Sequence, residues 1–152
     1  MPQEAQITPD RLVGTWRLVR AISTTAAGER NENPYGLSPS GLLTYSSTGI
    51  VIALISFGGR KPLSVKASAE EKSEAFDTFL AYTGRYSLVG NRVTHRVEIS
   101  SIQNYVGRDL VRTVSLEGDL LTLVTPPTPV NGKVQTLELT WQRLPEGESL
   151  KS

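Results

Sequence analysis

Between Arg85 and Ser101 the sequence alternates, turns and comes back. Arg85-Tyr86-Ser87-Leu88-Val89 reads as a strand, Gly90-Asn91 as a tight turn and Val93 to Ser101 as the returning strand. In the second strand Val93, Val97 and Ile99 point one way and Thr94, Arg96, Glu98 and Ser100 the other. A period of two therefore puts His95, the only histidine of the chain, on the apolar side. The same cadence recurs along the chain. Gly14–Ile22, Gly41–Ser46, Ile50–Ser56, Leu110–Leu116, Leu120–Thr125 and Val134–Leu144 are further strand runs, with turn signals at Ser47-Thr48-Gly49, Glu117-Gly118-Asp119 and Val130-Asn131-Gly132-Lys133. Such a series predicts an all-β fold: a closed antiparallel up-and-down barrel of about eight strands, wide enough for one small ligand.

Two features interrupt the strands. Ser68-Ala69-Glu70-Glu71 has capping-box spacing and predicts the one long helix, over residues 69–82, with Gly84 as its stop. Ala75, Phe76, Phe79, Leu80 and Thr83 would form its buried face. Thr8-Pro9 marks a short helical turn with Thr8 as its cap. Residues 23–40 read as loop, with Tyr35 in the turn Asn33-Pro34-Tyr35-Gly36. On the first strand Trp16 and Leu18 share a face and Val19 and Ala21 lie on the other, which predicts cover on both sides. The expected organisation is a flexible N-terminus over 1–9, one barrel domain over 10–144 and a flexible tail over 145–152.

Composition narrows the function classes. A formal charge of +1 gives no electrostatic case for nucleic acid or an anionic membrane. Zero cysteines exclude disulfides, thiolate catalysis and thiolate-bound zinc. The opening MPQEAQITPDRL has no apolar run of the signal-peptide kind, and no window approaches the ~20 apolar residues of a membrane span. A cytoplasmic protein is the expectation, with a small metabolite as partner and a homodimer left open.

No metal-ligand set or cofactor fingerprint stands out, so neither a metal nor a cofactor is expected. Gly58-Gly59 beside Arg60 and Lys61 lacks P-loop spacing. What remains is proton chemistry in an apolar pocket. His95 can act as general acid or base, and also fits a hydrogen-bonded core histidine. Tyr45 and Tyr86 can donate hydrogen bonds. Arg112, on a face with Leu110, Val114 and Leu116, can stabilise a phenolate, enolate or carboxylate; the opposite parity, with Val111, Thr113 and Ser115 inward, stays open. The expected catalytic set is His95, Tyr86 and Arg112. The expected ligand contacts are Tyr45, Tyr82, Phe79, Asn104, Tyr105 and Trp141, with Asn104 and Tyr105 in a loop at the barrel mouth.

Gly14-Thr15-Trp16 on the first strand, with Trp141-Gln142-Arg143 on the last, resembles the lipocalin pattern of GxW with an arginine packed over the tryptophan. Gly41-Leu42-Leu43-Thr44-Tyr45, Ala81-Tyr82-Thr83-Gly84-Arg85-Tyr86, Val93-Thr94-His95-Arg96-Val97-Glu98 and Gly118-Asp119-Leu120-Leu121-Thr122-Leu123 extend the likeness. In this order they are similar to the microbial and fungal lipocalin-like domain family, over residues 10–144. The resemblance implies a barrel with a cavity, and Trp16, Trp141 and Arg143 closing its floor. The helix in mid-chain and the lack of cysteines depart from secreted lipocalins.

Two functions fit. One is a cofactor-free cyclase or isomerase, acting on a hydrophobic, polyketide-type aromatic metabolite by general acid–base catalysis, for example C–O ring closure. This rests on the resemblance, since some lipocalin-like members are natural-product cyclases. The other is a non-catalytic carrier of such a ligand.

Overall fold

The computed structural model describes residues 7–130 and 132–150. In chain order these form α1 (Pro9–Leu12), β1 (Gly14–Thr25), β2 (Arg30–Asn31), β3 (Ser40–Tyr45), β4 (Ile50–Ser56), α2 (Ala69–Asp77), β5 (Phe79–Val89), β6 (Arg92–Ser100), a 3₁₀ turn (Gln103–Tyr105), β7 (Asp109–Glu117), β8 (Leu120–Val124), β9 (Thr128–Val130) and β10 (Lys133–Arg143). β1, β3, β4, β5, β6, β7, β8 and β10 pair antiparallel in that order, and β10 pairs back onto β1. The sheet is a closed eight-stranded barrel, with β2 and β9 as short flaps on β1 and β10. Closure leaves the eight staves without a free edge. Residues 1–6 of the expected flexible N-terminus, 151–152 of the tail and Asn131 of the predicted turn lie outside the described residues. Among the described residues no helix is long and apolar enough to cross a membrane.

The two ends of the barrel differ. At one end the strands are joined by the short turns 46–49, 90–91 and 118–119, and α1 lies beside them. Longer connections, 26–39, 57–78, 101–108 and 125–132, gather at the other end, which is the mouth. The short-turn end is plugged. Trp16 is fully buried and its indole N–H donates to the Leu12 carbonyl at 2.9 Å. The Arg143 guanidinium stacks 4.2 Å from the Trp16 ring centroid. It also donates to the carbonyls of Val13 and Arg11 at 2.9 and 2.7 Å. Gly14, at φ +137°, makes room: a Cβ there would lie 2.7 Å from Arg143 Nη1.

Three local expectations need correction. The capping box is present, with Ser68 Oγ accepting from the Glu71 N–H at 3.1 Å, but the helix ends at Asp77. Phe79 to Tyr82 already belong to β5. Phe76, expected in a buried face, is 50% exposed, and α2 buries no residue. Too few apolar side chains repeat at helical spacing to hold a longer helix, while pairing of β5 with β4 from Phe79 onward supplies a full ladder. Gly84, expected to stop the helix, lies inside β5 opposite Val97. The strands approach so closely that a Cβ at Gly84 would sit 1.8 Å from the Arg96 carbonyl oxygen.

That close approach accompanies a bulge. Thr83 faces Ile99 and Gly84 faces Val97, so Glu98 is an extra residue in β6. Alternation breaks there, and Ile99 turns outward, 69% exposed, instead of joining Val93, His95 and Val97 inside. A second irregularity, at Val19 in β1, does the same. Val19 is exposed and Ala21 returns to the interior with Trp16 and Leu18; the expected cover on both sides is confined to the stretch after the irregularity, where Ile22, alternating with Ala21, is buried as well.

Trp16→Ala should cost roughly 3–5 kcal/mol in urea-melt stability, because it removes a filled plug that cannot collapse. A loss below about 1 kcal/mol would mean the floor does not depend on it. Gly84→Ala should cost about 1–3 kcal/mol, since backbone rather than a flexible side chain must yield; an unchanged melt would contradict the close approach.

Candidate functional site

His95 is carried inward by β6, between Val93 and Val97, and is 1% exposed. Each ring nitrogen is held by a tyrosine. Tyr45 Oη lies 2.7 Å from Nε2 and Tyr82 Oη lies 2.7 Å from Nδ1. Tyr45 ends β3 on its inward parity with Gly41 and Leu43, and Tyr82 follows Leu80 on the inward parity of β5. The sole histidine, on β6, thus ties β3 and β5 together through buried phenols, across the β4 stave that separates them.

The other tyrosines converge on this bridge. Tyr86 packs edge-on against Tyr45, with centroids 4.8 Å apart, and donates its hydroxyl to the Ser46 carbonyl at 2.7 Å. Tyr35, from the 26–39 loop, packs 4.8 Å from the Phe57 ring, and with Tyr105, from the 3₁₀ turn, leans on the buried core. Arg112 takes the first of its two open parities, sharing the inward face of β7 with Leu110, Val114 and Leu116. Its charge acts on Tyr35, Tyr45, Tyr82 and His95. All five tyrosines, the single histidine and Arg112 therefore form one cluster inside the wall made by β3 to β7.

The cluster is uncharged except at Arg112. Burial, aided by the Arg112 guanidinium, pushes His95 down to about 3. Burial raises Tyr82 to about 12 and lifts Tyr45 and Tyr35 well above the usual phenol range. Near neutral pH the bridge is neutral imidazole between neutral phenols. It can orient a ligand by hydrogen bonds, and it can pass a proton between Tyr45 and Tyr82 by exchanging tautomers.

Of the sequence-predicted residues, His95, Tyr45, Tyr82, Tyr86, Arg112 and Tyr105 are brought together. Tyr86 is not the partner of His95: although the two are paired across the strands, its hydroxyl goes to Ser46. Phe79 lies on the outward parity of β5 with Arg60 5.2 Å over its ring, and Asn104 is exposed on the 3₁₀ turn. Trp141 faces the interior of β10, 1% exposed, and its indole N–H has no partner among the described residues. Tyr35, which the sequence leaves between the rim of a pocket and an exposed turn, belongs to the cluster; Pro-Tyr-Gly in a loop signals a turn and nothing about where the loop folds. The Gly58-Gly59-Arg60-Lys61 segment lies apart, beside a polar recess of about 470 Å³ bounded by Glu71 and Glu74 of α2.

Residues 13–144 match the lipocalin-like domain family. The chain belongs to that family. This lipocalin-like protein is also 38% identical over 85 residues to the 4'-hydroxy-3'-methoxypropiophenone carrier protein of Aspergillus oryzae, an alignment covering 50% of this chain and 77% of the relative. No solved structure matches it significantly.

The neutral histidine makes stability pH-dependent. Its folded pKa lies below the unfolded value of 6.5, so between 6.5 and about 3 the unfolded chain binds more protons and the folded state weakens as pH falls. The slope should approach ~1.4 kcal/mol per pH unit. Glu71, lowered to about 2 by hydrogen bonds from Ser64 and Ser68, adds acid sensitivity once the pH nears its ordinary value of 4.5. Urea melts between pH 6.5 and about 5.5 therefore separate His95 from Glu71. His95→Gln should flatten that slope; an equally steep variant would assign the acid sensitivity to other groups.

Proposed function

We propose that this lipocalin-like protein binds and carries a small aromatic metabolite in the mouth half of its barrel. The observation that carries this reading is the neutral Tyr45–His95–Tyr82 bridge beside Arg112, set in an otherwise apolar wall. A few fixed polar groups in an apolar enclosure suit an amphipathic aromatic ring, which gains affinity from buried area and orientation from the hydrogen bonds. A histidine pushed down to about 3 is poorly matched to proton abstraction near neutrality, which favours holding over turning over. The ligand class is supported by the relative named as a carrier of a hydroxylated, methoxylated aryl ketone.

Calorimetric titration with 4'-hydroxy-3'-methoxypropiophenone tests the reading. The expected result is saturable one-to-one binding, micromolar or tighter, which corresponds to about −8 kcal/mol. The recovered ligand should be chemically unchanged. No saturation at millimolar concentration would sink the carrier reading for this ligand class.

One observation favours a second reading, a cofactor-free cyclase or isomerase: His95 links two phenols, so a proton can leave one end of the bridge as another arrives at the other. On that reading a polyketide-type phenol would return from incubation as a ring-closed or rearranged isomer of the same mass with altered chromatography. His95→Ala would then lower the rate by roughly 10²–10⁴-fold while affinity fell far less.

A further inference from the structure

Counting protons in the bridge fixes its direction. A neutral imidazole has one N–H donor and one bare nitrogen acceptor. One tyrosine must therefore donate to His95 and the other must accept from it, and the accepting tyrosine keeps a hydroxyl hydrogen with nowhere to go inside the bridge. Among the described residues neither Tyr45 nor Tyr82 has a second hydrogen-bond partner. The two alternatives are unequal. Tyr45 is 1% exposed and closed in by Tyr86, so a spare hydroxyl hydrogen there would be a buried, unsatisfied donor. Tyr82 is 8% exposed and stands nearer the mouth, three residues from the start of β5. The arrangement with the smaller cost has Tyr45 donating to Nε2, Nδ1–H donating to Tyr82 Oη, and the Tyr82 hydroxyl hydrogen left over.

A second group nearby is also short of partners. Arg112 is half-buried, no carboxylate pairs with it among the described residues, and its one hydrogen bond is from Nη1 to the Val111 carbonyl at 2.9 Å. A guanidinium turned into an apolar barrel with most of its donors unused is costly unless something supplies acceptors.

Resting on the carrier reading above, we propose that Tyr82 and Arg112 form an acceptor-binding subsite, in which the Tyr82 hydroxyl donates to an oxygen of the bound aromatic ligand and the Arg112 guanidinium supplies a second donor. His95 and Tyr45 are positioning residues: they hold the Tyr82 oxygen as an acceptor on one side so that its hydrogen points to the ligand on the other. The ligand class is an aromatic compound with an exposed oxygen acceptor, either a ring-conjugated carbonyl or a phenol oxygen.

Two measurements test this. Because His95 is the only histidine, ¹⁵N NMR of the imidazole reads one residue without assignment. The expected form is protonated at Nδ1 and bare at Nε2; the reverse tautomer overturns the proposal whether or not any variant folds. Binding then uses three probes: 4'-hydroxy-3'-methoxypropiophenone, its analogue with the carbonyl reduced to methylene, and its phenol methyl ether. Tyr82→Phe should weaken the first probe about tenfold. A carbonyl contact predicts that this penalty disappears with the methylene analogue. If the phenol oxygen is the acceptor, the penalty persists with that analogue and shrinks with the methyl ether. Tyr45→Phe should also weaken the first probe several-fold, since Nε2 then takes the proton and Tyr82 turns its hydrogen back to Nδ1. Wild-type binding with no penalty for Tyr82→Phe on any probe overturns the subsite alone. A wild type that binds none of the three overturns the carrier reading together with it.

Discussion

The stacking of Arg143 on Trp16 joins the two ends of the chain, and the barrel depends on it. Arg143 reaches the carbonyls of Arg11 and Val13 across more than a hundred residues of sequence, so these bonds form only when the last strand meets the first. The same guanidinium caps the buried indole, whose own N–H is satisfied by Leu12. Loop-closure entropy must be overcome before such contacts contribute. They fasten the last strand to the first, the pairing that closes the sheet. With the floor latched, the walls can carry groups that a looser core would not tolerate.

Those groups are polar. A histidine and several tyrosines in a barrel interior cost desolvation, and the structure offsets that cost by mutual satisfaction. Neither His95 nitrogen is bare of a partner, and Tyr86 finds the Ser46 carbonyl. The bridge remains uncharged, which avoids the larger penalty of a buried ion. Its specificity is geometric: three walls contribute, so the spacing between β3, β5 and β6 is fixed by oxygen–nitrogen distances as well as by packing.

Much of this was legible in the sequence. The strand runs, their turns and the GxW and Trp-Gln-Arg motifs located the eight staves and the floor, and period two placed His95 on an inward face; for Arg112 alternation left both parities open, and only the folded β7 turns it inward. Periodicity failed where the backbone broke its own rule. Extra residues at Val19 and Glu98 shift the phase, so Ala21 and Ile99 exchange the faces that simple alternation assigns them. The helix overran because Phe79 and Leu80 fit a helical stripe as well as a strand, and only pairing with β4 decides between the two. Tyr82 was legible as a ligand contact but not as the His95 partner. The strand neighbour of His95 is Tyr86, whereas the bonded pair runs diagonally across the sheet.

The unequal ends of the barrel have an evolutionary consequence. The short turns and the Trp16 plug leave little freedom for insertion or drift at the floor, because the turns join strands directly and Arg143 holds Arg11, Val13 and Asp119 in place. The four longer connections at the mouth carry Tyr35 and Tyr105 on backbone that the strand ladders do not constrain. Descendants of this chain can therefore lengthen, shorten or rewrite those connections and acquire new ligands, while the stability that keeps them folded is inherited unchanged from the opposite end.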